Sequence, residues 1–184
     1  MLNWSEKGHV LATCDEHIVY CRIVGYGNMN NCAPFQESSQ QLQEQGYREF
    51  ILDFSRCEGL DSTFLGILLG MAVGLDDEPA KVVVVNAGDS IRKILTEVGI
   101  DRLIEICREK VTLPDIPMRR LQAMETGREA RATMILQAHE NLCRIHPDNQ
   151  ARFGRFVKTL RQELEASRSA DTRESQEGAP GVGH

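Results

Sequence analysis

Over residues 17–24 the side chains fall into two sets on opposite sides of an extended chain. Ile18, Tyr20, Arg22 and Val24 take one side, and Val19, Cys21 and Ile23 the other. β-branched and aromatic residues suit a pleated, half-buried surface, so this segment predicts a strand. Residues 10–12 predict a shorter one. The polar link Cys14-Asp15-Glu16-His17 between them makes the pair a hairpin. A loop follows over 25–31. Asn31 then suits an N-cap and Pro34 the first turn of a helix. That helix is expected to reach about Gln45, end at Gly46, and bury Phe35 and Leu42.

Phe50-Ile51-Leu52-Asp53-Phe54 predicts the next strand, and 55–60 a loop. Asp61-Ser62-Thr63 then opens a helix over 64–75 that is apolar on almost every side, as a helix buried against a sheet is. Its Gly66, Gly70 and Gly74 recur every four residues and predict a close backbone approach by a neighbour. The valine run within 81–86 reads as a strand covered on both faces and therefore central. A helix with Ile91, Leu95 and Val98 on one side ends at Gly99, and 103–107 predicts a last short strand. The order β-β-α-β-α-β-α-β favours parallel crossovers with helices packed on the sheet.

The pattern changes beyond Pro114 and Pro117. Residues 118–145 read as one helix, or two broken at Gly127, with a seam of Ile135, Ala138, Leu142 and Ile145. His146-Pro147-Asp148 makes a turn. A second amphipathic helix follows with Phe153, Val157, Leu160 and Leu164 on its apolar side. The polar stretch 167–184 is expected to be disordered. The organisation expected is 1–113 as an α/β domain, 114–166 as a helical extension and 167–184 as a tail.

Composition narrows the function classes. In a chain of 184 residues the net charge is −6. That argues against nucleic-acid binding and against anionic membranes, both of which need clustered Lys and Arg. Residues 1–6 lack the basic-then-apolar pattern of a secretory signal. The six cysteines, none spaced C-x-x-C, are scattered through apolar segments as core thiols in a reducing compartment would be. A cytoplasmic location is expected; a secreted disulfide framework is the alternative.

The strongest chemical signal is Asp61-Ser62-Thr63-Phe64-Leu65-Gly66 between a strand and a helix. A hydroxyl at a helix start faces first-turn amides and the positive end of the helix dipole, a setting that accepts a phosphate. Beside Asp61 such a phosphate would meet like charge, so its main effect would be on surface potential. The plain alternative is that the triplet only caps the helix.

The order of elements around this triplet resembles the STAS domain, the fold of bacterial anti-sigma factor antagonists. The resemblance spans about residues 8–113. It rests on Phe50-Ile-Leu-Asp-Phe-Ser followed by Asp61-Ser-Thr-Phe-Leu-Gly, on Lys81-Val-Val-Val-Val-Asn, and on the segment from Ile91 to Ile100. It implies that Ser62 is the phosphate acceptor and Thr63 a secondary one. It implies a docking surface of Asn28, Met29, Asn30, Asp61, Ser62, Phe64, Leu65 and Asn86. It also implies a partner that is a serine kinase and anti-sigma factor, a phosphatase that resets the switch, and no catalysis or cofactor in this chain. The family pattern has Gly where this chain has Phe64. A ring there is expected to enlarge the apolar surface beside Ser62, and to alter partner choice or hinder a kinase.

Other readings stay open. The same fold could serve as a constitutive scaffold, dimerising through the C-terminal helices, or as a small-molecule sensor. Val85-Asn86-Ala87-Gly88 follows a strand as a nucleotide turn does, but lacks G-x-G-x-x-G. His139, Cys143 and His146 share a helix face, as Zn²⁺ ligands can, but without an evident fourth ligand; a mixed helix face is the simpler reading.

Overall fold

The computed structural model describes residues 8–74, 79–122 and 127–177. The opening hairpin is present as β1 (Gly8–Cys14) and β2 (Ile18–Gly27), antiparallel from Gly8 opposite Gly25 to Cys14 opposite Val19. Asp15 shapes its turn: Oδ1 accepts the N–H groups of His17 and Ile18, at 3.1 and 2.9 Å, and Oδ2 accepts the Tyr20 hydroxyl. Val19, Cys21 and Ile23 are buried, and on the opposite side Ile18, Arg22 and Val24 are half-buried while Tyr20 is buried too.

Three βα units follow. Helix α1 (Cys32–Glu44) leads to β3 (Glu49–Leu60), α2 (Ser62–Val73) to β4 (Lys81–Val85), and α3 (Asp89–Glu97) with a 3-10 turn (Ile100–Arg102) to β5 (Glu105–Ile106). The sheet order is β5-β4-β3-β2-β1-β6, parallel from β2 through β5. The parallel strands follow one another in a single direction. Right-handed crossovers therefore put all three helices on one face. The core lies beneath them, with Phe50, Leu52, Phe54, Val82 and Val84 from the sheet and Phe35, Phe64, Leu68, Ile91 and Leu95 from the helices.

Several elements differ from expectation. Residues 55–60 are not a loop: β3 continues through them, paired with β2 as far as Gly27 opposite Leu60, with two irregularities in register. Their polar side chains hide the strand, which the long β2 ladder holds extended. Gly59 lies under the Tyr26 ring, where an added Cβ would stand 2.7 Å from the ring edge. The valine strand β4 is not central but next to the edge, flanked outside by the two-residue β5, and Val83 is only half-buried. The expected strand over 103–107 shrinks to β5 because the N–H groups of Leu103 and Ile104 turn back to Ile100 O.

Residues 118–122 are not helical. β6 (Arg119–Arg120) pairs antiparallel with β1, and the Leu121 N–H donates to Val10 O. The sheet therefore crosses the boundary expected at residue 114. Helix α4 (Arg128–Ile145) then runs antiparallel to α5 (Pro147–Glu177), which continues into the stretch expected to be disordered; residues 178–184 lie outside those described. Val157 and Leu164 of α5 are buried, Phe153 and Leu160 half-buried. Arg161–Glu140 and Arg168–Glu129, each 2.6 Å, link the two helices at the surface.

The hairpin folds back onto the domain. Asn149, at its turn, is 2 % exposed and donates through Nδ2 to Leu142 O and to Val98 O at the end of α3, both at 2.9 Å. Ala138 and Leu142 of the predicted seam are buried within the chain, together with Met134 and His139. Among the described residues no helix is long and apolar enough to cross a membrane.

Candidate functional site

Asp61 organises the start of α2. As N-cap it holds an extended backbone, and its Oδ1 accepts the Phe64 N–H at 2.8 Å. That satisfies one of the orphan amides of the first turn. Its second oxygen, Oδ2, accepts the Met29 N–H at 2.8 Å, and its own N–H donates to Gly27 O. One carboxylate thus joins the helix start to the loop between β2 and α1. The loop is shaped by its asparagines: Asn31 Oδ1 accepts from Asn28 N–H, and Asn28 Oδ1 from Asn30 N–H, both at 2.9 Å. Asn28, Met29 and Asn30 are therefore brought beside Asp61 and Ser62.

The other residues assigned to this surface behave differently. Phe64 does not enlarge an exposed apolar patch. It is 0 % exposed and stacks on Phe35 with ring centroids 5.3 Å apart. Gly27 allows this, since a Cβ there would come within 3.0 Å of the Phe64 ring. Leu65 and Thr63 are buried as well, which leaves Ser62 as the half-buried hydroxyl of the triplet. Asn86 has a structural task. Its backbone is left-handed at φ 57°, its Nδ2 donates to Asp53 Oδ1 and Val111 O, and its Oδ1 accepts the Val111 N–H.

Ser62 has a partner that sequence reading misses. Its Oγ lies 2.9 Å from Nε2 of His139 on α4. The other ring nitrogen, Nδ1, lies 2.8 Å from Ile135 O, one helical turn earlier. A carbonyl only accepts, so Nδ1 carries a proton. In the neutral ring Nε2 is then the acceptor and Ser62 the donor. The imidazole is 5 % exposed and packs against Phe153 and Phe156, with centroids 5.5 and 4.7 Å away.

The contact continues along α2. Ala138 O lies 2.0 Å from where a Gly66 Cβ would stand, and Asn141 Nδ2 donates to Gly66 O at 3.1 Å. The predicted close approach at this glycine is made by the backbone of α4. At the loop end, Arg131 Nη2 donates to Asn30 Oδ1 at 2.7 Å and lies 3.4 Å from Met29 O. The sequence offers only an indirect signal for this, in the histidine singled out as part of a metal-like face. That face does not assemble a metal site: Cys143 Sγ reaches Asn149 O, His146 Nδ1 accepts the Asp148 N–H, and no group of three ligand-type side chains converges among the described residues.

A serine hydroxyl hydrogen-bonded to an imidazole is also the geometry of an activated nucleophile. Three clefts are lined by other residues, one along α3 and β5, one between α1, α2 and α4, and one beside His9 and Arg56. In the cleft along α3, Arg92 pairs with Asp89 and Lys93 with Glu97, and Asp101, Glu105 and Arg108 also line it.

Residues 19–105 match the family model described as Mlab, STAS domain. This part of the chain resembles a STAS domain. Two solved structures are similar. The anti-sigma factor antagonist SpoIIAA in its unphosphorylated form is 21 % identical, with a TM-score of 0.42 over 50 % of this chain and 94 % of that one. The Bacillus cell fate determinant SpoIIAA in the phosphorylated form is 20 % identical, with a TM-score of 0.45 over 54 % of this chain and 90 % of that one. The comparison with curated proteins gives no match. The STAS match holds Ser62, Asp61, the asparagine loop and Asn86. The α4–α5 hairpin, which supplies His139, lies outside it.

Proposed function

We propose that this protein is a non-catalytic cytoplasmic regulator of the anti-sigma factor antagonist kind. Its STAS-like domain docks a serine kinase that also acts as an anti-sigma factor. Phosphorylation of Ser62 releases that partner, and a phosphatase restores binding. The observation that carries this reading is the position of Ser62. It is the first residue of α2, next to a capping carboxylate and the loop of Asn28, Met29 and Asn30, inside the segment that matches the STAS model. A phosphoserine brings about −1.5 to −2 charges at neutral pH, here next to Asp61. A ~100-fold preference of the partner for one form needs only about 2.7 kcal/mol.

The test is intact-mass analysis of protein purified from its own cells, with and without phosphatase, beside Ser62→Ala. A phosphate-sized increment that phosphatase removes and Ser62→Ala abolishes supports the switch. If no increment appears under any growth condition, a constitutive scaffold becomes the better reading. The observation favouring that second reading is that the Ser62 hydroxyl already serves His139 inside the fold.

A further inference from the structure

We infer that the α4–α5 hairpin is an internal competitor of the partner: a docked α4 and a phosphate on Ser62 exclude each other. This rests on the reading of Ser62 as the modified residue.

The face in question is already occupied. Along one side α4 places Arg131 on Asn30 and Met29, Ala138 against Gly66, and His139 on Ser62. These are the loop and the helix start that a partner would use. A partner taking the same face must remove α4 first. It fits best by presenting a helix whose backbone approaches Gly66 as that of Ala138 does.

The exclusion follows from the space around Oγ. The gap of 2.9 Å between Ser62 Oγ and His139 Nε2 is one hydrogen bond wide. A phosphoryl group with its three acceptor oxygens does not fit within it. The ring cannot retreat alone, because Ile135 O holds Nδ1 and the Phe153 and Phe156 rings stand against it. With Ser62 Oγ in this rotamer, room for the phosphate comes from moving α4. The Asp61 carboxylate, fixed on Phe64 and Met29, adds repulsion on the other side. Met134, Ala138 and Leu142 of α4 share the buried cluster of α2, so moving α4 exposes apolar surface that a docking partner would have to cover.

The experiment uses the full chain with phosphoserine genetically encoded at position 62, the unmodified chain, and a Gly66→Ala variant. Hydrogen exchange followed by mass spectrometry reads α4 and the sheet separately. Amides of α4 are expected to exchange at least tenfold faster in the phosphoserine protein and in Gly66→Ala than in the unmodified chain, with β2, β3 and β4 unchanged. Equal protection of α4 with and without the phosphate would overturn the proposal, because the two would then coexist. Loss of protection in the sheet in step with α4 would also overturn it, because the hairpin would not be an independent unit. Absence of phosphate in the cell would sink the switch at Ser62 but leave this result standing.

Discussion

The carboxylate of Asp53 is 2 % exposed and serves three elements at once. Its Oδ2 accepts Arg22 Nε at 2.7 Å, and its Oδ1 accepts the Ser55 N–H and Asn86 Nδ2. Burial alone would raise its pKa, but the hydrogen bonds from Ser55, Arg22 and Asn86 together outweigh it and hold the carboxyl below the usual carboxylate range. A depressed folded pKa contributes stability that is present above the unfolded value and is lost as pH falls through the folded one. Asp53→Asn is expected to lose about 2 kcal/mol at neutral pH, the lower end for a broken pair because Arg22 is partly exposed. In urea melts the gap to the parent should be constant at neutral pH and close below about pH 4.

The thiols give a second prediction at this scale. Burial pushes Cys21 and Cys32 up to about 12 and Cys57 up to about 11. Only thiolates react readily. Iodoacetamide at mildly alkaline pH should therefore label the exposed Cys14 and spare Cys21 and Cys32 until denaturant is added, as peptide mapping would read. The burial of Cys21 follows from the strand pattern in the sequence, whereas that of Cys57 does not, because the stretch around it shows no strand period. Nor does the pairing of Ser62 with His139, because nothing local couples positions 77 residues apart.

Among the elements, α2 was legible from its cap, its apolar run and its glycines, and the packing of α4 on it was not. A glycine spaced for close approach says that a neighbour comes near, not which one. Gly66→Ala separates propensity from packing. On an isolated helix it would gain about 1 kcal/mol. Here the added methyl meets backbone, and a net loss of ~1–3 kcal/mol is expected in the denaturation of α4. Asn149→Ala should cost a similar ~1–3 kcal/mol, since the carbonyls of Leu142 and Val98 would lose a buried donor. Residues 55–60 were misread because a polar strand shows no period; only the neighbouring β2 reveals it. Residues 118–122 were misread because two arginines suit a helix surface as well as an edge strand.

The whole molecule ends its sheet in two very short strands. β5 and β6 have two residues each, and Arg119 and Arg120 on β6 are exposed. Short, charged edges resist pairing with another chain. Replacing both arginines with valine should produce concentration-dependent association in sedimentation velocity, while the parent stays unchanged over the same range. The alternation of strands and helices was enough to read the parallel sheet, because each crossover is local. The closing strand and the folded-back hairpin were not readable, because each joins segments far apart in sequence.

The placement of α4 also sets an order of events during synthesis. The parallel sheet is complete at Ile106, and α4 ends at Ile145. At ~5–20 residues per second, the intervening chain takes on the order of a few seconds to emerge. Every newly made copy thus passes through a brief interval in which the start of α2 is folded and its cover does not yet exist. An enzyme working near the ribosome meets Ser62 bare, whereas one meeting the finished protein finds it in contact with His139.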